Sequence, residues 1–214
     1  MKKFAVILAG CGVYDGAEIH EAVLALLAID QAGATSRCFA PDMPQHHVVN
    51  HLTGEVSDER RNVLAEAARI ARGTIQPLTE FKHEDFDALL IPGGFGAAKN
   101  LCDWAFRGDA CRVNPDVERA VRSMAQAGKP VGAMCISPVI LARLFSGVSL
   151  TTGQDKASAD FIRHTGNTPV MTVHGEVVAD PLVKLFTTPC YMLDASISQV
   201  AEGARNLVNA MLKA

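Results

Sequence analysis

The stretch GKPVGAMCISPVILARLF, residues 128–145, decides the fold because an apolar run typical of a strand changes at Cys135 into a run typical of a helix. A sharp strand-to-helix turn brings the residues two before and two after its central residue close together, so both must be small. Ala133 and Ser137 are small, and Pro138 suits the first helical turn, where a missing N–H costs nothing. The pattern therefore predicts a turn that presents the Cys135 thiol at the edge of a sheet.

Runs typical of strands and of helices alternate through the first two thirds of the chain. Continuous apolar strands separated by amphipathic helices predict a mostly parallel sheet with helices on both faces. After residue 148 the pattern is less regular and predicts short strands, including a hairpin, followed by a closing helix. The predicted strands are 3–10, 35–41, 87–94, 129–134, 148–152, 168–173, 175–180 and 182–188, and the predicted helices are 17–32, 58–73, 115–127 and 197–211.

Length and charge limit the class of protein. The 214 residues, 49% of them hydrophobic, can fill one large core, so we expect a single domain over residues 1–214. Twenty basic and 23 acidic residues give a net charge of −3 without a basic cluster, which argues against a nucleic-acid partner. No apolar run reaches the ~18 residues of a membrane span. We expect small-molecule chemistry and a homodimer.

The amino-terminal stretch and the cysteines bear on location. MKKFAVILAGC is similar to a lipoprotein signal ending at Cys11, but its apolar run, residues 4–9, is shorter than the ~7–15 residues that a signal core needs. It fits a buried first strand better. The six cysteines are scattered and form no Cys-x-x-Cys pair. We therefore expect reduced thiols in the cytoplasm.

Three loops should meet at the carboxyl edge of the sheet, where open parallel sheets bind ligands. They are GCGVYDGAEIHE (10–21), PGGFGAAKN (92–100) and the turn at Cys135. The first loop has the start of a dinucleotide fingerprint, but Asp15 occupies the place of the third glycine and would repel a phosphate. We expect no cofactor.

A metal site is the other alternative. His47 and His51 are four residues apart and could share a helix face as ligands. No third ligand is evident nearby, and PQHHVVNHLTGE (44–55) is also typical of a polar surface loop. We expect no metal.

The residues around Cys135 suggest covalent chemistry. A cysteine at a helix N-terminus is expected to have a lowered pKa and a nucleophilic thiolate, although most free cysteines are simply buried structural residues. Gly93 and Gly94 can aim backbone N–H groups at an oxyanion, or form an ordinary tight turn. Ile136, directly after the cysteine, is a further candidate for this binding site. Glu18, at the start of a long helix, is a candidate acid/base or a helix-dipole partner.

Five motifs together are similar to one protein superfamily: GCGVYDGAEIHEA, NHLTGE, PGGFGAAKNL, GKPVGAMCISP and TTPCYML. The chain resembles the superfamily of PfpI-type intracellular proteases, the Parkinson-disease deglycase and class I glutamine amidotransferases, and within it the enhancing-lycopene-biosynthesis (ElbB) branch, also called sigma cross-reacting protein. The resemblance implies a flavodoxin-like three-layer sandwich with Cys135 at a nucleophile elbow and Glu18 as its partner. It also implies cofactor-free conversion of glyoxal to glycolate, and the branch name suggests a link to isoprenoid metabolism.

The chain departs from that superfamily at two histidine positions. PfpI-type peptidases have a histidine directly after the nucleophile, where this chain has Ile136, so proteolysis is not expected. The deglycase and related glyoxalases have a histidine after two threonines, where this chain has Gly153. His174, from a later predicted strand, is a possible substitute, although a histidine at a strand end is more often solvated or structural.

The sequence thus predicts a slow glyoxalase with a small dicarbonyl or aldehyde substrate. Two alternatives stay open: a thiol sensor in which Cys135 is oxidised beside Glu18, and an amidotransferase-like subunit. Cys11 lies in the first loop, so we also predict that it approaches Cys135 and acts as a resolving thiol after oxidation.

Overall fold

The core of the molecule is a seven-stranded sheet with the strand order β10-β11-β7-β6-β1-β2-β5. A computed structural model describes residues 1–214. All neighbouring strands run parallel except β10, which pairs antiparallel with β11. The seven strands are β1 (Lys3–Ile7), β2 (Thr35–Ala40), β5 (Ile75–Pro77), β6 (Ala88–Ile91), β7 (Val131–Met134), β10 (Val178–Asp180) and β11 (Leu185–Thr188).

Four short strands lie outside the main sheet. An antiparallel pair is formed by β3 (Val48–Val49) and β4 (Val56–Ser57), and a parallel pair by β8 (Ser149–Leu150) and β9 (Thr168–Pro169). The prediction of short strands after residue 148 is confirmed, and its hairpin is the β10–β11 pair.

Helices surround this sheet, which confirms the predicted α/β class with a mostly parallel, flavodoxin-like arrangement. The first and last helices pack against each other, and the last also contacts β7 and β11. No helix has the length and apolar character needed to span a bilayer. The helices are α1 (Ile19–Gln31), α2 (Val63–Ile70), α3 (Trp104–Arg107), α4 (Pro115–Gln126), α5 (Pro138–Leu144), α6 (Lys156–His164) and α7 (Ile197–Leu212).

Capping side chains set where the helices begin. The helix predicted from residue 58 starts five residues later, because the side chain of Asn62 accepts a hydrogen bond from the Ala65 N–H and caps α2 there. Similarly, Asn114 caps α4 ahead of a proline at its first position. Glu18 caps α1, which places its carboxylate at the carboxyl edge of the sheet.

Candidate active site

The turn between β7 and α5 places Cys135 in a backbone conformation that is unusual for a residue with a side chain. Its φ angle is 60°, and its N–H donates to the carbonyl of Thr188 at 3.0 Å. Positive φ costs free energy in such residues and persists where surrounding contacts impose it. Here the Ser137 hydroxyl donates to the carbonyl of Pro92 at 2.6 Å and fixes the turn to the glycine loop. Ala133 is completely buried, as a close turn requires.

The thiol of Cys135 has a carboxyl partner, and that partner is Glu21. Glu21 is fully buried on α1, where the Gly93 N–H donates to its Oε2 at 3.0 Å and the Tyr191 N–H donates to its Oε1 at 3.1 Å. A Cβ atom built on Gly93 would lie within 3 Å of both Glu21 Oε2 and the Cys135 sulfur, so the two groups are neighbours. The glycine loop and the segment after β11 therefore hold this carboxyl group beside the thiol.

Glu18, the predicted partner of the thiol, has a different position. Its Oε2 accepts a hydrogen bond from the Glu21 N–H at 2.7 Å, so it caps the helix that carries Glu21. Its side chain also lines the cleft in front of Cys135, and its Oε1 has no hydrogen bond to the protein. The structure thus brings both glutamates to the elbow, with Glu21 in contact with the sulfur and Glu18 facing the cleft.

Glu21 was missed in the sequence, although a signal for it is present. It lies on the same helix face as Ala22, Ala25 and Ile29, all completely buried. A carboxylate on the buried face of a helix requires partners, because burying an unpaired charge is costly. An acidic residue on the apolar face of a predicted helix is therefore the sequence signal that marks Glu21 as a candidate site residue.

Of the two glycines predicted to bind an oxyanion, only Gly94 has its N–H near the sulfur. The Gly93 N–H donates to Glu21, so it is not free for a substrate oxygen. Gly93 instead allows close packing, since a Cβ atom there would overlap the Cβ of Cys135 and the carboxylate of Glu21. The Gly94 N–H interacts with Cys135 and lowers the pKa of its thiol. Ile136 is buried, lines the cleft and has an N–H that makes no hydrogen bond.

The expected lowering of the thiol pKa at a helix N-terminus is not what the structure favours. Burial, and then the nearby Glu21 carboxylate, raise the pKa of Cys135 well above its usual value. Burial also raises the pKa of Glu21, to about 7, against the lowering effect of its hydrogen bonds. Desolvation outweighs the dipole of the short helix α5 because the thiol is almost sealed from water. At neutral pH the resting pair is a protonated thiol beside a partly ionised carboxyl group.

Cys11 and His174 do not join Cys135. Neither residue is part of the cleft lining, and the charged groups that affect the pKa of Cys11 include Glu66 and Arg69 of α2. His174 lies in a turn between β9 and β10 and makes no hydrogen bond to the cleft. The resolving role of Cys11 stays a prediction.

The structure explains the absence of a histidine at Gly153. The glycine has a φ angle of 72°, and a Cβ atom there would lie 3.0 Å from Pro189 and 3.1 Å from Leu193. A larger side chain would have to displace both residues. No imidazole therefore enters the site from this position.

A second thiol lies close to the elbow. Cys190 follows β11, has a φ angle of 44° and is 5% exposed. Its thiol contributes to the raised pKa of Cys135. The pKa of Cys190 is itself raised well above its usual value, mainly by burial and next by the nearby Glu21 carboxylate. Cys190 is not among the site residues predicted from the sequence.

The possible metal ligands do not share a helix. His47 and His51 flank β3. His51 Nδ1 donates to the Val49 carbonyl at 3.0 Å, and its Nε2 accepts from the Tyr14 N–H at 3.2 Å. Both nitrogens of this ring are thus used by the backbone, which makes the segment structural.

In front of Cys135 is a cleft of about 570 Å³. It is mainly apolar, and its lining includes Phe95, Tyr191 and Leu193. A small carbonyl compound bound here would reach the sulfur from solvent, with the Gly94 N–H beside it.

The fold and the site define an α/β protein with a buried cysteine on a strand-to-helix elbow and a glutamate beside it. The sequence model of the DJ-1/PfpI family matches residues 71–180, and the chain belongs to this family. The resemblance found in the sequence is thereby confirmed.

Three relatives illustrate the similarity. A human protein, glutamine amidotransferase-like class 1 domain-containing protein 3, mitochondrial, is 41% identical over 99% of this chain and 82% of its own length. The rat ES1 protein homolog, mitochondrial, is 40% identical over 99% of this chain and 83% of its length. A crystal structure of an isoprenoid biosynthesis protein with an amidotransferase-like domain from Ehrlichia chaffeensis superposes with a TM-score of 0.92 at 38% identity, covering 99% of each chain.

The prediction of a cytoplasmic location is contradicted by these relatives. The human and rat proteins, and a zebrafish ES1 protein that is 29% identical, are all named mitochondrial. The prediction depended on free cysteines, and the structure has six. Free thiols indicate a reducing environment and do not distinguish one reducing compartment from another.

Proposed function

We propose that the protein is a cofactor-independent glyoxalase that converts glyoxal to glycolate, with Cys135 as the nucleophile. The observation that carries the proposal is the Cys135 thiol beside the buried Glu21 carboxyl group at an open cleft. A nucleophile with a base next to it is the arrangement that covalent catalysis needs. The branch that the sequence resembles is glyoxalase-like, which supports the same substrate.

Glu21 serves as the base for the thiol. The Cys135 thiol is protonated at rest, and Glu21 has a pKa of about 7, so its carboxylate is available near neutral pH. As sulfur attacks one aldehyde carbon, the S–H proton moves to Glu21 and the carbonyl electron pair moves to oxygen. The Gly94 N–H, beside the sulfur, is suited to stabilise that alkoxide. Return of the proton from Glu21 to the alkoxide gives a hemithioacetal.

Glu18 serves as the carbon acid/base. Its carboxylate lines the cleft with Oε1 free of hydrogen bonds to the protein. It removes the proton from the carbon bonded to sulfur, and the electron pair left behind forms an enediolate with the neighbouring carbonyl. It then returns a proton to that neighbouring carbon, while the hydroxyl proton on the sulfur-bound carbon passes to the neighbouring oxygen and leaves a thioester carbonyl.

The result is a glycolyl thioester of Cys135, which water cleaves to glycolate and the free thiol. One carbon has been oxidised from aldehyde to acid and its neighbour reduced from aldehyde to alcohol. The electrons balance within the substrate, so the proposal needs no external oxidant or reductant.

The experiment compares glycolate formation from glyoxal by the wild type, Cys135→Ser and Cys11→Ser. Cys11 is half-buried on another part of the loop, so its variant is the matched control. We expect glycolate from the wild type and the control, and none above background from Cys135→Ser. Equal activity in all three would overturn the proposal.

The same preparation distinguishes the two alternatives. Ammonia released from glutamine, with no glycolate formed from glyoxal, would support an amidotransferase-like protein instead. Inertness toward both substrates, combined with ready oxidation of Cys135 by peroxide, would support a thiol sensor.

A further inference from the structure

Three carboxylates line the cleft in front of Cys135, and no lysine, arginine or histidine does. They differ in exposure: Glu18 is buried, Asp155 is half-buried and Asp194 is exposed. A cleft lined by charges of one sign focuses the field along the path of an entering ligand. The charged side chains that line this cleft are all acidic.

These carboxylates are not neutralised by ion pairs. Asp155 caps α6, where its Oδ1 accepts from the Ser158 N–H at 2.8 Å and from the Ser158 hydroxyl at 2.6 Å, while its Oδ2 makes no hydrogen bond to the protein. Asp194 makes neither a hydrogen bond nor a salt bridge. Hydroxyl and amide donors orient a carboxylate but leave its charge in place.

Three cationic side chains lie near the cleft without lining it. Lys156, between the lining residues Asp155 and Ala157, is exposed at the start of α6. Lys99 donates to the carbonyl of Tyr14 at 2.8 Å and lies 5.5 Å from the ring centroid of Phe95. His20 shares a 2.8 Å hydrogen bond with the hydroxyl of Tyr191. None of the three is part of the cleft lining.

Aromatic side chains in the cleft also attract cations, as the carboxylates do. Trp104 and Tyr191 line the same cleft as the carboxylates. The face of an aromatic ring attracts a cation through its quadrupole, and the effect is larger where water is excluded. Carboxylates and aromatic rings together are the groups that bind alkylammonium ions.

We propose that the site prefers carbonyl substrates that carry a positive charge, such as a protonated amine or a quaternary ammonium group next to the aldehyde. The proposal rests on the proposed function and specifies its substrate class. Anionic substrates, including 2-oxo acids, phosphorylated sugars and the α-carboxylate of an amino acid, meet only like charges at Glu18, Asp155 and Asp194. An uncharged dicarbonyl such as glyoxal is neither attracted nor repelled by these charges.

A labelling experiment tests the charge preference without using turnover. Three methanethiosulfonates of similar size, with an ammonium, a neutral and a sulfonate end, are reacted with the protein, and modification of Cys135 is followed by peptide mass spectrometry. Each rate is divided by the rate with N-acetylcysteine amide, a neutral thiol. We expect the cation-to-anion ratio at low salt to exceed that of the neutral thiol by about 10- to 100-fold, and to fall as salt is added.

Substitutions test whether the cleft carboxylates cause the charge preference in labelling. Asp194→Asn should lower the cation-to-anion ratio by about two- to five-fold, as expected for a partly screened charge. The control is Asp160→Asn, an exposed carboxylate on α6 that pairs with Arg163 outside the cleft, and it should leave the ratio unchanged. A wild-type ratio equal to that of the neutral thiol, or equal effects of the two substitutions, would overturn the inference.

The outcome is separable from that of the proposed function. Turnover of glyoxal without charge-selective labelling would refute the substrate preference alone. Charge-selective labelling in a protein that forms no glycolate would refute the glyoxalase and uphold the cation preference of the cleft. With an active enzyme, kcat/KM should be higher for an ammonium-bearing oxoaldehyde than for its carboxylate-bearing counterpart.

Discussion

The carboxyl group of Glu21 lies beside the thiol of Cys135, and both side chains are almost completely shielded from solvent. The two oxygens of that carboxyl group are held by the N–H groups of Gly93 and Tyr191. One buried carboxylate thus connects α1, the glycine loop, the elbow and the segment after β11. Its protonation state affects both the reactivity of the thiol and the stability of the fold.

The first prediction separates the two glutamates. Glu21→Gln removes the base that takes the thiol proton, so glyoxal turnover should fall by ~10²- to 10⁴-fold. Because the Glu21 carboxylate raises the pKa of the Cys135 thiol, the variant should react with iodoacetamide at lower pH than the wild type does. Glu18→Gln should reduce turnover to a similar degree while leaving alkylation near the wild-type rate, because alkylation requires no proton transfer at carbon. An amide at position 18 can still accept from the Glu21 N–H, so the variant keeps its cap. A shift of the pH at which Cys135 is alkylated in Glu18→Gln, and none in Glu21→Gln, would assign the role of thiol partner to Glu18 instead.

The second prediction concerns the pH dependence of stability. Burial raises the pKa of Glu21 from 4.5 to about 7, so the folded protein binds this proton more tightly than the unfolded chain. The protonated group therefore contributes stability that is fully present below pH 4.5 and is lost as the pH rises through about 7. Relative to Glu21→Gln, which cannot titrate, the wild type should lose roughly 2–3 kcal/mol of unfolding free energy between pH 5 and pH 8.

Denaturant unfolding of both proteins at the two pH values measures this difference. The variant also supplies the reference for all other titrating groups, which the two proteins share. A difference between the proteins that is constant with pH, or that grows toward pH 8, would show that the pKa of Glu21 is not raised in the folded state.

Much of the fold could be predicted from local pattern. The parallel strands are continuous apolar runs, and the long helices have a clear apolar face. Hydrophobic periodicity and capping residues were therefore sufficient to predict β1, β6, β7 and α4. The elbow at Cys135 was also predictable, because small neighbours and a proline are local requirements. The pairing of β8 with β9 away from the main sheet was not, since two-residue strands carry no periodic signal.

The partner of the thiol could not be chosen reliably from the sequence. Glu18 and Glu21 are three residues apart on one helix, so they lie on neighbouring positions of the same side. Which carboxylate reaches the sulfur depends on how α1 is rotated against the sheet, and that rotation is set by packing of Ala22, Ala25 and Ile29. The raised thiol pKa was missed for a related reason: the dipole is visible in the sequence, whereas burial by distant segments is not.

The third prediction tests close packing at the glycine loop. Gly93→Ala would place a methyl group onto the Cβ of Cys135 and the carboxylate of Glu21, so something must move. We expect the free energy of unfolding to fall by about 1–3 kcal/mol and the alkylation of Cys135 to become slower. Gly203→Ala on α7 is the control, because its added Cβ would meet the Thr188 hydroxyl at 3.2 Å and the Cys190 sulfur at 3.6 Å, and alanine favours a helix. If both variants were as stable as the wild type, the loop would not be packed against the elbow as described.

The fourth prediction addresses the proton transfer between the two substrate carbons. A carboxylate exchanges its proton with solvent quickly, so a proton that passes through Glu18 should be replaced by deuterium in deuterium oxide. Glycolate formed from glyoxal in that solvent should then carry one deuterium on its methylene carbon, which mass spectrometry detects. Unlabelled glycolate incubated with the enzyme in deuterium oxide is the control and should gain none.

A direct hydride shift between the carbons would give the opposite isotope pattern. The original hydrogen would move across, and the glycolate methylene would contain no deuterium. That result would remove the proton shuttle from the mechanism and leave Cys135 with Glu21 as the catalytic pair. Because Gly153, packed against Pro189 and Leu193, leaves no room for a histidine to share the transfers, we expect slow turnover along either route.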